Sequence, residues 1–141
     1  MKNLSHTYMS KITIVIERAG DGTYSAYAED GISAWGMGDT PEAAKAEALE
    51  GLRLFVENNS PATIPTVLKG EYEIEYKFDT ASLLAYYKGI FTNAGLERIT
   101  GINQRQIQHY FSGAKKPRPQ QREKIEAGLH RLAKELLAIE L

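Results

Sequence analysis

Ile12, Ile14 and Ile16 alternate with Thr13, Val15 and Glu17, the period-two pattern of a strand with one buried face. Ala19-Gly20-Asp21-Gly22 follows, made of residues that tolerate positive φ, so a hairpin turn is predicted there. Tyr24, Ala26 and Ala28 then alternate with Ser25, Tyr27 and Glu29 as a second strand, and a short third is predicted from Ile32 to Met37, after a turn at Asp30-Gly31. In Gly38-Asp39-Thr40-Pro41-Glu42 the period changes. Asp39 or Thr40 can cap a helix, Pro41 has the φ of a first turn, and Glu42 suits the positive helix end. Ala44, Ala48, Leu52 and Phe55 or Val56 share one face of that helix, which should close near Asn58-Asn59. After a loop punctuated by Pro61 and Pro65, alternation resumes with Tyr72, Ile74, Tyr76 and Phe78 inward and Glu71, Glu73, Glu75 and Lys77 outward.

Beyond Phe78 the pattern is helical throughout. Asp79-Thr80 can cap a helix with the stripe Leu83, Leu84, Tyr87 and Phe91. Thr92-Asn93 opens a short helix carrying Leu96 and Ile99 and closed by Gly101. Asn103 caps a third, with Ile107, Tyr110 and Phe111 inward and Gly113 as its terminator. Pro119 starts a longer helix with Ile125, Leu129, Leu132, Leu136 and Ile139. Its length exceeds what three short helices can cover, so its far end is expected to meet another subunit or the front domain. The expected fold is α+β: a β-β-β-α-β domain over residues 1–78, then an all-α domain over 79–141.

Charge sharpens this division. The formal net charge of −1 averages a front of 7 Lys and Arg against 12 Asp and Glu with a rear of 10 against 6. Modules with partners of opposite charge are implied. With no cysteine there are no disulfides or thiolate metal sites, which suits a reducing compartment. The opening MKNLSHTYMS lacks the apolar segment of a signal peptide, and no run approaches a membrane span. A cytoplasmic protein with no membrane association is the expectation.

The rear domain carries the chemistry. A helix, a tight turn at Gly101-Ile102 and a second helix form a helix-turn-helix pattern, in which the glycine permits the turn and Ile102 pins it. With Ile107, Tyr110 and Phe111 inward, Gln104, Arg105, Gln108 and His109 lie toward the outside. Gln bonds adenine through two edges and Arg does the same to guanine, so these four are the candidates for contact with bases. Residues 98–124 hold seven Lys and Arg and one acid, Glu123. Lys115, Lys116 and Arg118, in the loop after the reading helix, and Asn103 at its start are the candidates for phosphate contact. A helical bundle with a solvated polar face is the plain alternative. Paired heads would suit duplex half-sites about one turn apart, so a homodimer or higher oligomer is expected.

The front domain is less specific. Glu17, Asp21, Glu29, Asp30 and Asp39 are all acids, yet turn and cap roles account for Asp21, Asp30 and Asp39. No catalytic residue, metal or cofactor is expected, and His109 and His130 lack a matching ligand spacing. The Glu71, Glu73 and Glu75 ladder fits a solvated strand face or a docking surface for a basic partner. Trp35 fits a core position or an exposed interface anchor, and Tyr27, Trp35, Glu71, Glu73 and Glu75 are the candidates for contact with a protein partner.

Taken together, the halves resemble the HicB-type antitoxins. The resemblance rests on Asp21-Gly22-Thr23-Tyr24 and Gly38-Asp39-Thr40-Pro41-Glu42-Ala43 in front, and on a Cro/repressor-like helix-turn-helix over residues 96–119 behind. It implies a partial ribonuclease H-like front domain without nuclease activity, which binds a small basic RNA-cleaving toxin of the HicA kind. It also implies a rear domain that represses its own operon by binding a double-stranded DNA operator. The competing expectations are a stand-alone transcription regulator, whose front domain oligomerises or senses a ligand, and a small metal-dependent nuclease.

Overall fold

The computed structural model describes residues 9–29 and 31–141. The opening segment read for a signal peptide, through residue 8, and Asp30 lie outside the described residues. The chain is α+β: among the described residues there are a four-stranded mixed sheet and five α-helices, in two compact units, Met1–Asp79 and Thr80–Leu141.

In the first unit, β1 (Ser10–Arg18), β2 (Tyr24–Ala28), β3 (Trp35–Gly38) and β4 (Tyr72–Phe78) form a sheet in the order β3-β2-β1-β4. β1 pairs antiparallel with β2 and parallel with β4, and β2 pairs antiparallel with β3. The β1–β2 turn closes with Ala19 N–H on the Thr23 carbonyl at 2.8 Å, and Gly22 takes a φ of 89°. Ile12, Ile14, Ile16, Tyr24 and Ala26 are buried on one face, beneath Ala44, Ala48 and Leu52 of helix α1 (Pro41–Asn58). Thr40 caps α1, its hydroxyl accepting from Ala43 N–H at 3.1 Å.

Gly36 and Gly38 set the spacing of helix and sheet. A Cβ at Gly36 would overlap the backbone of Ala44 and Ala48, and one at Gly38 would press on Ala43 and Ala44. The helix therefore lies on β3 at a separation only glycine allows.

Three strand and helix expectations need correction. β3 begins at Trp35 rather than Ile32, because the preceding residues are used in a local turn in which Ala34 N–H bonds the Ile32 carbonyl at 2.9 Å. Tyr76 is 40% exposed: it stands on the edge strand, with Lys45 Nζ 4.6 Å from its ring centre. The proline loop also contains a single 3-10 turn, Thr66–Leu68, whose Leu68 is buried in the same core.

The second unit comprises α2 (Thr80–Tyr86), α3 (Asn93–Thr100), α4 (Gln104–Ser112) and α5 (Pro119–Leu137). Its core is Leu84, Leu96, Ile102, Ile107, Tyr110 and Ile125. α2 stops before Tyr87 and Phe91, which were expected on its stripe. Ile90 and Phe91 N–H both turn back to the Tyr87 carbonyl at 2.9 Å, around Gly89, a poor helix former. α5 ends at Leu137, so Ile139 lies beyond the helix. Leu136 and Ile139 are both exposed. Gly128 lets α5 cross against the Ile99 carbonyl, and Arg131 Nη2 donates to that carbonyl at 2.6 Å. Among the described residues no helix is long and apolar enough to cross a membrane.

Candidate nucleic-acid interface

The geometry around α4 is built from α3 outward. Thr92 caps α3 by accepting from Gly95 N–H at 2.9 Å, and Gly101 ends it in the left-handed conformation, φ 75°. Thr100 then secures the turn. Its buried hydroxyl donates to the Leu96 carbonyl at 2.6 Å and accepts from Ile102 N–H at 3.1 Å, so no polar atom there is left unpaired. Ile102 is buried and anchors the chain as it turns into α4.

Two acceptors hold the first turn of α4. Asn103 Oδ1 takes Arg105 N–H at 2.8 Å, and the Glu97 carboxylate, reaching across from α3, takes Gln104 N–H at 2.6 Å. Ile107, fully buried, and Tyr110, 3% exposed, fix the inner face. Gln106 Nε2 donates to the Tyr110 hydroxyl at 3.0 Å, which satisfies that phenol at the edge of the core. Phe111, expected inward, is half-buried with Lys88 Nζ 5.0 Å from its ring centre.

The side chains left outside are those singled out above. Gln104, Arg105 and Gln108 are exposed, and His109 is half-buried. Positions 104 and 108, like 105 and 109, stand one helical turn apart and so lie above one another. Gln108 has a partner: its Oε1 accepts from Asn93 Nδ2 at 2.8 Å. Gly113 terminates α4 with a φ of 78°, and Lys115 N–H returns to the His109 carbonyl at 3.2 Å. Lys115, Lys116 and Arg118 are exposed in the loop that follows, and Asn103 is exposed at the start of the helix.

The first unit gathers the remaining candidates on the sheet face opposite α1. In register, Trp35 neighbours Tyr27, Tyr27 neighbours Val15, and Val15 neighbours Lys77. Trp35 is 57% exposed, so it is no core residue. Tyr27 hydroxyl donates to Glu17 at 2.7 Å. That bond first, with burial and the neighbouring carboxylates, raises its pKa above the ordinary phenol value. Glu73 and Glu75 are on the same face but across β1 from the aromatic pair, and Glu71 immediately precedes β4. Glu73 stands opposite Lys11, and Glu75 accepts from Thr13 Oγ1 at 3.3 Å, so the ladder is not a bare acidic row. Of the acids considered for a metal, Glu17 accepts from the Tyr27 hydroxyl. Asp21 accepts from the Thr23 N–H and hydroxyl at 2.9 and 2.7 Å, which lowers its pKa. Among the described residues no group of three His, Asp or Glu side chains is placed to hold a metal ion.

Sequence reasoning missed the roles of Glu97, Thr100 and Asn93, whose hydrogen bonds hold α4 and the turn before it. Glu97 sits seven residues before the atom it caps, and Asn93 fifteen before the amide it holds, so no local pattern marks either. Comparison with protein-family models, with curated proteins and with solved structures finds no match to this chain.

Proposed function

We propose that this chain is a cytoplasmic antitoxin of the HicB kind, with a partial ribonuclease H-like front domain and a helix-turn-helix rear domain. It neutralises a small basic RNA-cleaving toxin and represses its own operon by sequence-specific binding of duplex DNA, as a homodimer or higher oligomer. The observation that carries this reading is α4: a helix held from within by Ile107 and Tyr110, opened by a left-handed glycine turn, with Gln104, Arg105 and Gln108 outside. Those side chains match the donor and acceptor edges of the major groove. The cationic loop after α4 matches the phosphate backbone on either side.

The sheet face of the first unit supports the second half of the proposal. An exposed Trp35 beside Tyr27, with acids on the same face, suits a cationic protein surface, through cation–π contact and charge complementarity. Nothing in this reading calls for catalysis, and a cofactor has no role in it.

Co-expression with the adjacent reading frame, which the proposal expects to encode a short basic protein, tests it. The neighbour alone should arrest growth, and this chain should restore it and co-purify with the neighbour. If the neighbour is harmless and does not bind while duplex DNA is still bound selectively, the chain is a stand-alone regulator instead.

A further inference from the structure

The two edges of the sheet are finished differently. At β3 the edge is closed: α1 lies directly on that strand, and Glu47 of α1 accepts the Met37 N–H at 3.0 Å. At the other edge, among the described residues, no strand pairs with the outer side of β4. The Asp79 N–H, one residue past β4, bonds the Ile16 carbonyl of β1 at 3.0 Å. Successive N–H groups along a strand point to opposite sides, so those of Ile74 and Tyr76 point away from β1, toward the open edge. A seven-residue row of this kind is a template for one more strand.

Charge decides which strand fits. Glu73, Glu75 and Lys77 lie exposed on one face of β4, with Ile74, half-buried, and Tyr76, 40% exposed, on the other. A parallel copy in register would set carboxylate beside carboxylate, which is unfavourable. In an antiparallel pair the outward rows meet only where even-numbered residues oppose even-numbered ones. A two-fold axis at Tyr76 meets that condition. It sets Glu75 opposite Lys77 twice and Ile74 opposite Phe78 twice, with Tyr76 against its own copy. An axis at Glu75 would oppose two Glu75 carboxylates, and one at Ile74 would oppose Glu73 to Glu75. The like-charged pair that remains about Tyr76, Glu73 with Asp79, falls past the end of the strand.

We infer that β4 is a self-recognition edge: two copies of this chain join β4 to β4, antiparallel about Tyr76, into one continuous sheet. Each copy offers the same surface to the other, as a closed dimer requires. The inference rests on the homodimer proposed above and names its surface, and it holds whether or not α4 reads DNA. The pairing leaves Trp35 and Tyr27, which lie across β1 from β4, uncovered for a different partner.

The test is analytical ultracentrifugation of the full chain as wild type, as Lys77→Glu, and as the double exchange Glu75→Lys with Lys77→Glu, all at exposed positions. Wild type should dimerise reversibly. Lys77→Glu sets carboxylates opposite one another at two places and should raise the dissociation constant by roughly tenfold or more, and the double exchange should bring it back to within about threefold of wild type. Because the chain has no cysteine, Tyr76→Cys supplies a single thiol on the axis. A short bismaleimide should link that thiol to its copy, whereas Met37→Cys, at the closed edge, should stay unlinked. Rescue of Lys77→Glu by Glu73→Lys instead of Glu75→Lys would move the axis to Glu75 and overturn the pairing about Tyr76. A dimer indifferent to Lys77→Glu and to the position of the thiol overturns the inference and leaves the homodimer standing on another surface. A wild type that is monomeric at every concentration overturns the inference and the homodimer together.

Discussion

The carboxylate of Glu97, on α3, accepts a 2.6 Å hydrogen bond from the backbone N–H of Gln104, the first residue of α4. One side chain thus joins the two helices across their turn and satisfies a donor that the helix cannot satisfy itself. Glu97→Ala should lower the stability of the helical unit by about 1 kcal/mol, the usual worth of a lost N-cap. Glu97→Gln, whose amide oxygen still accepts, should recover part of it. Chemical denaturation followed by helical circular dichroism measures both; equal stability of all three chains would mean the bond contributes nothing.

Gly36 faces α1 with no room for a side chain. Gly36→Ala should force the helix away from β3 and destabilise the first unit by about 1–3 kcal/mol, the range for overpacking a filled core. Gly20→Ala, at a position with no atom near the added carbon, should leave the thermal midpoint almost unchanged. Similar midpoints for both variants would show that the contact relaxes freely.

Tyr27 should ionise later than an ordinary tyrosine, because its hydroxyl donates to Glu17. A folded-state pKa above the unfolded value stabilises the fold fully below the unfolded value of 10.0, and that contribution is lost as pH rises through the folded one. The difference in tyrosinate absorbance between wild type and Tyr27→Phe isolates this titration. Glu17→Ala should move it back toward the ordinary value; an unmoved titration would mean the hydrogen bond is not its cause.

Lys115 and Lys116 are assigned to phosphates. Replacing both with alanine should weaken binding to every duplex alike and reduce the slope of log affinity against log salt by about two units. An unchanged slope would put the phosphate-binding surface elsewhere.

Local chemistry is what could be read in the chain beforehand. Thr40 and Pro41 at the start of α1, Gly101 and Gly113 in the left-handed conformation, and the alternation of Ile12, Ile14 and Ile16 all act through neighbours in sequence. What escaped depends on tertiary approach. The need for glycine at Gly36 arises only when α1 lies on β3, and Gly128 matters only where α5 crosses Ile99. Tyr76 has the inward parity of a strand but sits on an edge, which parity cannot reveal. On α4, the exposed amides followed from the helix's apolar positions, whereas the Asn93 bond to one of them did not.

The most direct test of the account is the affinity of the full chain for duplex DNA from immediately upstream of its own coding sequence, against a shuffled duplex of equal composition, for wild type and Arg105→Ala. Wild type should prefer its own sequence by a factor on the order of a thousand or more, and Arg105→Ala should lose about 1–3 kcal/mol of that preference while binding the shuffled duplex nearly as before. Equal affinity of wild type for both duplexes would contradict the assignment of α4 as a base-reading helix.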